Sequence, residues 1–321
     1  MNMTFWNDKK VLVTGGAGFI GAHVVRRLVG ERSSVTVVDN LQSGKWEDLG
    51  SARQSVQCVE ADVRNAMAMR DIVRNTRPDV VLHLAANASV PGSVNDPAYD
   101  FESNAGGTFN VLNAVRLKKT DARVVVVSSA AVYGEPKHFP ITEQSELAPI
   151  SPYGASKLAA EVEARMFHSV YHVPVVIARF FNTYGPGMPR FVVLDFLKKL
   201  QCEPLRLEIM GSGLQRRDFN YVEDTVKGLL VLGERGMVGE SYNIAAGVSH
   251  SVTDLARLVI DVRGMTGKTK MSFTGESWAG DAQCWEVDIS KVRALGYEPC
   301  VHLRNGVEKV AEWFDVVYGS V

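Results

Sequence analysis

Over the first 180 positions the apolar residues come in short, near-continuous blocks. Val11-Leu12-Val13, Val35-Thr36-Val37-Val38, Val80 to Ala86, Arg123 to Val127 and Val175 to Phe180 each read as a strand buried on both faces. Ser55 to Glu60 reads as a further strand. Between the blocks the period changes to that of a helix, at Ala22 to Leu28, Ala66 to Arg74, Asn104 to Leu117 and Tyr153 to His168. Strands alternating with helices predict an α/β fold with a doubly wound parallel sheet. Ligands of such sheets bind beyond the carboxyl ends of the strands, and the unusual polar residues of this chain cluster at those ends. After Asn182 the pattern loosens. Tyr184 to Pro189 reads as a loop, and Leu207 to Met210 and Tyr242 to Ala245 as short strands. Phe191 to Leu200, Val222 to Leu232, Thr253 to Val262, Ser290 to Leu295 and Leu303 to Val317 read as helices.

The first strand runs into Gly15-Gly16-Ala17-Gly18-Phe19-Ile20-Gly21, which opens a helix. The first glycines permit a tight turn, Gly18 lets backbone approach a pyrophosphate, and Gly21 lets helix and strand pack closely. The helix N-terminus adds unpaired N–H groups and a partial positive charge. The next strand ends in Asp39, where an acid meets a ribose in dinucleotide sites. A carboxylate there accepts from a 2′-hydroxyl and repels a 2′-phosphate, which implies NAD rather than NADP. A bare glycine turn is the alternative, and the strand, helix and acid in order argue against it. Residues 1–182, with a returning segment near 214–247, are therefore expected to form a Rossmann NAD-binding domain. Residues 183–321 are expected to form a smaller, partly interleaved C-terminal domain that closes over a substrate.

Composition removes several classes of function. With 35 basic and 36 acidic residues among 321, and a net charge of −1, no basic surplus points to nucleic acid or an anionic membrane. Cys58, Cys202, Cys284 and Cys300 form no Cys-x-x-Cys pair, as expected of reduced thiols in a cytoplasmic protein. No apolar run reaches membrane-spanning length, and the start of the chain lacks the apolar core of a signal peptide. No metal site is expected: His138, His168 and His172 show no ligand spacing. His83 reads as a packed strand residue, Glu223-Asp224 as a helix start and Trp313-Phe314 as helix packing. Asn87 and Ser89 either face a substrate or only pack.

Tyr153 and Lys157 stand four apart in Ser151-Pro152-Tyr153-Gly154-Ala155-Ser156-Lys157. On a helix they share one face, about 5–6 Å apart at Cβ. Lowering a tyrosine from a pKa of about 10 to about 7 takes roughly 4 kcal/mol. One positive charge at about 4 Å supplies that order of energy at an effective dielectric of about 20. Lys157 and an oxidised nicotinamide supply two such charges. Tyr153 can then remove a hydroxyl proton while a hydride leaves the same carbon, with Ser129 bonded to the same oxygen. A Tyr-x-x-x-Lys pair alone is common on helix surfaces. The order of glycine turn, Asp39, Ser128-Ser129 and this pair points to chemistry.

These segments, with Asp62-Val63, His83-Leu84-Ala85-Ala86, Ser128 to Gly134 and Ala178 to Gly187, resemble the extended short-chain dehydrogenase/reductases. These are the nucleotide-sugar epimerases and dehydratases. The resemblance covers most of the chain, closely to about residue 225 and more loosely beyond. It implies that Asp62 and Val63 flank adenine, that Leu84, Ala85 and Ala86 line the cofactor, and that Ser128, Tyr153 and Lys157 meet the nicotinamide ribose and ring. Phe19, Ile20, Asn40, Ser43, Gly44, Asn104 and Phe180 complete the candidate cofactor site. Asn182 and Arg217 are the candidate diphosphate ligands, and a homodimer through Asn104 to Leu117 and Tyr153 to His168 is implied.

Position 131 discriminates among reactions in this family. Dehydrating members resemble one another in an Asp-Glu pair there, decarboxylating members in a glutamate, and members epimerising C3 and C5 in a cysteine. This chain has Ala130-Ala131, and methyl groups transfer no protons. A reversible hydride step by Ser129, Tyr153 and Lys157 remains, which matches a 4-epimerase of the UDP-glucose/UDP-galactose type. A one-way 4-ketoreductase and an idle NAD-binding scaffold are the alternatives. Two positions depart from the family. Relatives carry Arg-Pro-Gly-Asp near residue 280, whose arginine grips the diphosphate, where this chain has Ser277-Trp278-Ala279-Gly280-Asp281. An indole offers one uncharged donor, leaving Arg190, Arg216 and Arg217 to compensate. Met210 stands where relatives often stack an aromatic ring on the base; it covers a ring face less selectively, and a strand-core role is the other reading.

Overall fold

The computed structural model describes residues 4–118, 121–275 and 282–319. Strands β1 (Lys10–Thr14), β2 (Ser34–Asp39), β3 (Gln57–Glu60), β4 (Val80–His83), β5 (Arg123–Ser129), β6 (Val175–Phe180), β7 (Asn182–Tyr184), β8 (Arg206–Ile209), β9 (Arg216–Tyr221), β10 (Ser241–Ile244), β11 (Ser249–Ser251) and β12 (Lys270–Phe273) fall into three sheets. The largest has seven parallel strands in the order β10-β6-β5-β4-β1-β2-β3. Its central strands are Val-rich and buried on both faces over most of their length. The chain builds outward from β1 to β3, then returns to the other side of β1 with β4. That reversal opens a crevice at the strand ends.

The helices are α1 (Phe19–Gly30), α2 (Ala66–Thr76), α3 (Val90–Asn95), α4 (Pro97–Phe101), α5 (Gly107–Lys118), α6 (Pro152–Tyr171), α7 (Val192–Cys202), α8 (Val222–Arg235), α9 (Val252–Val262), α10 (Ser290–Arg293) and α11 (Leu303–Tyr318). One face of the large sheet is covered by α1 and α8, through Val24, Val25, Leu28, Leu229 and Leu232. The other is covered by α2, α5 and α6, through Met69, Val73, Leu112, Val115 and Phe167. A second core forms where α7, α9 and α11 meet β7, β8 and β9, around Phe196, Leu207, Val259 and Phe314. This smaller C-terminal part carries the three-stranded sheet β11-β9-β7 and the pair β12-β8.

α6 presents the residues of most interest, and its start is set locally. Pro152 occupies the first turn, where no N–H is missed, and the Ser151 hydroxyl accepts the Gly154 N–H at 3.1 Å. The helix ends at His172, in the left-handed conformation. Two departures from the sequence reading bear on the site. The helix expected from Asn104 begins earlier, as a widened turn over Glu102–Gly106 that carries Asn104 into α5. Tyr184, read as loop, lies in β7, and β9, β11 and β12 carried no apolar signal. In β9 the buried positions include Arg217, Asp218 and Asn220, so partners rather than hydrophobicity hold it. Among the described residues no helix is long and apolar enough to cross a membrane.

Candidate active site

The glycine turn is as tight as its composition suggests. Gly15 has φ +68°, and a Cβ there would stand 2.6 Å from the Ala85 nitrogen. A Cβ on Gly21 would stand 2.1 Å from the Gly15 oxygen, so α1 packs directly on the turn. Asp39 anchors this cradle: its carboxylate accepts the Ala17 N–H at 3.0 Å and the Leu41 N–H at 2.9 Å. Carboxylate oxygens have further acceptor sites, which suits a ribose hydroxyl and not a 2′-phosphate. At the neighbouring strand end Asp62 accepts from Asn40 at 3.0 Å and pairs with Arg64 at 2.8 Å. Those Arg64 hydrogen bonds hold the Asp62 carboxyl down at about 2. The cradle and the acid fit NAD.

A single cleft of about 980 Å³ runs from this cradle into the C-terminal part. That volume lies at the top of the range for ligand sites, and suits two large ligands side by side. Gly15, Gly18, Phe19, Ile20, Asp39, Asn40, Ser43, Asp62, Val63, Leu84, Ala85, Ala86, Ser128, Tyr153, Lys157 and Phe180 all line it. Gly44 and Asn104 do not. Gly44 supports the turn from behind, where a Cβ would stand 2.4 Å from the Ala17 oxygen. The Asn104 amide is consumed below the cleft: it donates to Ser156 at 2.8 Å and accepts the Asn87 N–H at 2.8 Å.

Tyr153, Ser129 and Lys157 converge at the carboxyl ends of β5 and β6. The Ser129 and Tyr153 side chains are hydrogen-bonded to each other, and Ser129 Oγ also accepts the Ala131 N–H at 3.2 Å. Lys157 is buried and donates to the Val127 carbonyl at 2.9 Å. Burial pulls its pKa down to about 8, against the raising influence of Asp100 and Glu161. Burial also pushes the Tyr153 phenol above its ordinary value, opposed by the Ser129 hydrogen bond and the Arg190 charge. The expected lowering rests on Lys157 together with the oxidised nicotinamide, and that second charge acts only once NAD is bound.

Most of the chain is matched by several known proteins. A family model described as GDP-mannose 4,6 dehydratase matches residues 12–310. The putative UDP-glucose 4-epimerase of Methanocaldococcus jannaschii is 33% identical over 308 residues, covering 94% of this chain and 97% of that one. The solved UDP-glucose 4-epimerase of Thermotoga maritima with UDP-glucose superposes with a TM-score of 0.88 at 34% identity, covering 95% and 98%. The dTDP-glucose 4,6-dehydratase of Streptomyces venezuelae with NAD bound gives 0.87 at 30% identity, covering 96% and 98%. The chain belongs to the extended short-chain dehydrogenase/reductases, in the NAD-dependent nucleotide-sugar epimerase/dehydratase family.

In this family member the other candidates fall as follows. Asn182, Arg190, Met210 and Arg217 line the C-terminal side of the cleft. Arg217 is buried and lies over the Trp285 ring at 5.0 Å. Arg190 donates to the Ala88 carbonyl at 2.7 Å, tying its loop to the segment after β4. Met210 is 54% exposed at the rim, which sets aside a strand-core role. Arg216 is exposed and donates to the Ser249 carbonyl. Trp278 lies outside the described residues. Asn87 lines the cleft, but its amide donates to Asp100 at 2.9 Å, and Ser89 caps α3.

His83 is packed, as its strand position suggests. The Thr108 hydroxyl donates to the Asn104 carbonyl at 2.6 Å, so it accepts from the His83 Nε2–H at 3.0 Å. Nδ1 then accepts from Thr14 at 2.7 Å. Burial lowers this imidazole to about 3. Sequence reasoning missed the charges behind the site. Glu161, fully buried on α6, accepts from Arg179 at 2.8 and 2.7 Å, Arg165 at 2.8 Å and Ser128 at 2.6 Å. The Ser128 hydroxyl is thereby committed as a donor to Glu161. A charged residue inside each apolar block, Arg179 and Glu161, was the signal available. Among the described residues no cluster of three His, Cys, Asp or Glu side chains is placed to hold a metal.

Proposed function

We propose that this chain is an NAD-dependent nucleotide-sugar 4-epimerase of the UDP-glucose/UDP-galactose type. The observation that carries the reading is Ala131. It lines the cleft, and its N–H bonds to Ser129 Oγ. A methyl group thus stands one hydrogen bond from the reacting pair, where elimination of water would require an acid and a base. Bound NAD supplies a hydride acceptor and the positive charge that favours a phenolate. Tyr153 Oη takes the proton from the sugar 4-hydroxyl, and Ser129 holds that oxygen in line. Lys157, fixed on the Val127 carbonyl, keeps a positive charge beneath the ribose and phenol. Asn182 and Arg217 bind the diphosphate. With NAD bound, Tyr153 would hold the abstracted proton and return it to the C4 oxygen, and the cleft would leave room for the sugar to present either face.

The exposed apolar residues Phe109 and Leu117 of α5 and Val162, Val170 and Tyr171 of α6 support a homodimer through these helices. The test is a panel of UDP-, dTDP-, GDP-, CDP- and ADP-sugars, with cofactor content of the purified protein measured. The reading expects C4 inversion without added cofactor. Oxidation at C4 only with added NAD+, with release of NADH, identifies a ketoreductase running in reverse, and inactivity against the whole panel returns the scaffold reading.

A further inference from the structure

The inner wall of the cleft holds more buried charge than the proposed chemistry uses. Two cations, Lys157 and Arg179, and two anions, Glu161 and Asp100, are buried there. Glu161 is already matched: Arg179 donates to it at 2.8 and 2.7 Å, and Arg165 adds a bond at 2.8 Å. Lys157 has no such partner. Among the described residues its ammonium bonds only to the neutral Val127 carbonyl, at 2.9 Å. Asp100 is the anion left over. It lies on α4, is 0% exposed, and among the described residues accepts only from uncharged groups: Asn87 at 2.9 Å, Asn104 at 3.2 Å and Ser156 at 2.5 Å. A buried charge balanced by no opposite charge is costly, so each of the two supplies what the other lacks.

The contacts bring them together. Ser156 lies on α6 between Tyr153 and Lys157, and its hydroxyl fixes the Asp100 carboxylate to that helix. The Asn104 amide donates to both Asp100 and Ser156 and so holds the junction. The titratable groups acting on Lys157 are Asp100 from α4, Glu161 from its own helix and His83 from β4. Tyr153 stands one turn before it on α6, and β5 meets it with the Val127 carbonyl. His83 is neutral, because burial lowers it to about 3. Glu161 is shared with two arginines. Against the burial that lowers Lys157, Asp100 acts more strongly than Glu161. Asp100 also opposes ionisation of the Tyr153 phenol, which Arg190 favours. The influence is mutual: burial raises the Asp100 carboxyl, opposed by the Ser156 and Asn87 hydrogen bonds and the Lys157 charge. One carboxylate thus acts on both Tyr153 and Lys157.

Resting on the proposed function, we infer that Asp100 is the counter-charge of this pair: a positioning residue that holds the Lys157 ammonium charged and keeps the proton on Tyr153 until the cofactor's own charge is beside the phenol. The test compares the wild type, Asp100→Asn and Ser156→Ala. In isotope-labelled, cofactor-free protein, NMR titration of the Lys157 side-chain carbon signal, assigned by its absence from Lys157→Met, should give a wild-type midpoint of about 8. Asp100→Asn should lower that midpoint by about one pH unit, a tenfold loss of proton affinity. Ser156→Ala breaks the same network but leaves the charge, so its midpoint should stay close to that of the wild type. In turnover, both limbs of the kcat–pH profile should move to lower pH in Asp100→Asn, because removing a negative charge eases proton loss from the ammonium and from the phenol alike. A lowered plateau with both limbs in place, or an equal midpoint shift in Ser156→Ala, assigns Asp100 a structural role and overturns the inference. If Asp100→Asn does not fold, the coupling is read in the wild type: the Asp100 carboxyl carbon signal should move as Lys157 titrates, and a flat signal overturns the inference. C4 epimerisation by the wild type with an unmoved Lys157 midpoint in Asp100→Asn overturns this inference alone. A shifted midpoint in a protein that epimerises no nucleotide sugar upholds the counter-charge and overturns the proposed function.

Discussion

On the inner wall of the cleft, Glu161 is fully buried and receives hydrogen bonds from Arg179, Arg165 and Ser128. Below it, Asp100 accepts from Asn87, Asn104 and Ser156. On the outer wall, Met210 is half exposed, Arg190 sits on a loop, and Gln215 and Trp285 carry unpaired polar atoms. The Glu161 and Asp100 carboxylates of the inner wall are paired within the protein, and the Ser129–Tyr153 pair stands on that framework. The chemistry thus stands on a wall of paired buried charges, whereas the rim carries residues such as Met210 whose change costs little packing.

The comparison breaks if inner-wall and outer-wall substitutions behave alike. The largest effect is expected for Tyr153→Phe, which should lower kcat by about 10²–10⁴-fold while Tm stays put. A loss of only a few-fold would remove the proposed base. Next comes Glu161→Ala, which strands two arginines, one of them Arg179 in the core. It should cost about 3–5 kcal/mol, read from denaturant midpoints. An unchanged midpoint would mean that the inner wall is not held by its charges.

These expectations divide along the line between what the sequence reveals and what it hides. Five strands of the large sheet, β1, β2, β4, β5 and β6, were legible because they are Val-rich blocks, and the glycine turn, Asp39 and the Tyr153–Lys157 spacing are local patterns. β9 was not legible, because Arg217, Asp218 and Asn220 are buried there by partners far away in the chain. Asp218, for example, accepts from the N–H groups of Ala246, Gly247 and Val248. Asn104 was expected in the cofactor site, yet the widened turn directs its amide to Ser156. Side-chain direction at such a turn is set by tertiary contacts and leaves no periodic trace.

Two smaller effects sharpen the contrast. Burial lowers Lys157 to about 8, so its positive charge is present below that pH and lost above it. Activity should therefore fall on the alkaline side through about pH 8, and Lys157→Met should abolish that limb along with most of kcat. His83, lowered by burial to about 3, binds no proton until well below its unfolded value. Stability should thus decline as pH falls below about 6.5, where the unfolded state gains a proton that the native state refuses. His83→Gln should flatten the midpoint-versus-pH curve in that range. The smallest effect is expected at the rim: Met210→Ala should raise KM for the nucleotide sugar by about two- to tenfold, with kcat unchanged.

The central claim is that the inner wall moves a hydride and one hydroxyl proton, and no proton on carbon. It is tested most directly by running the UDP-hexose panel in D2O without added cofactor and analysing the product by NMR. The account predicts a C4 epimer with no deuterium on any carbon. A 4-keto-6-deoxy product, or deuterium bound to C5 or C6, would contradict it.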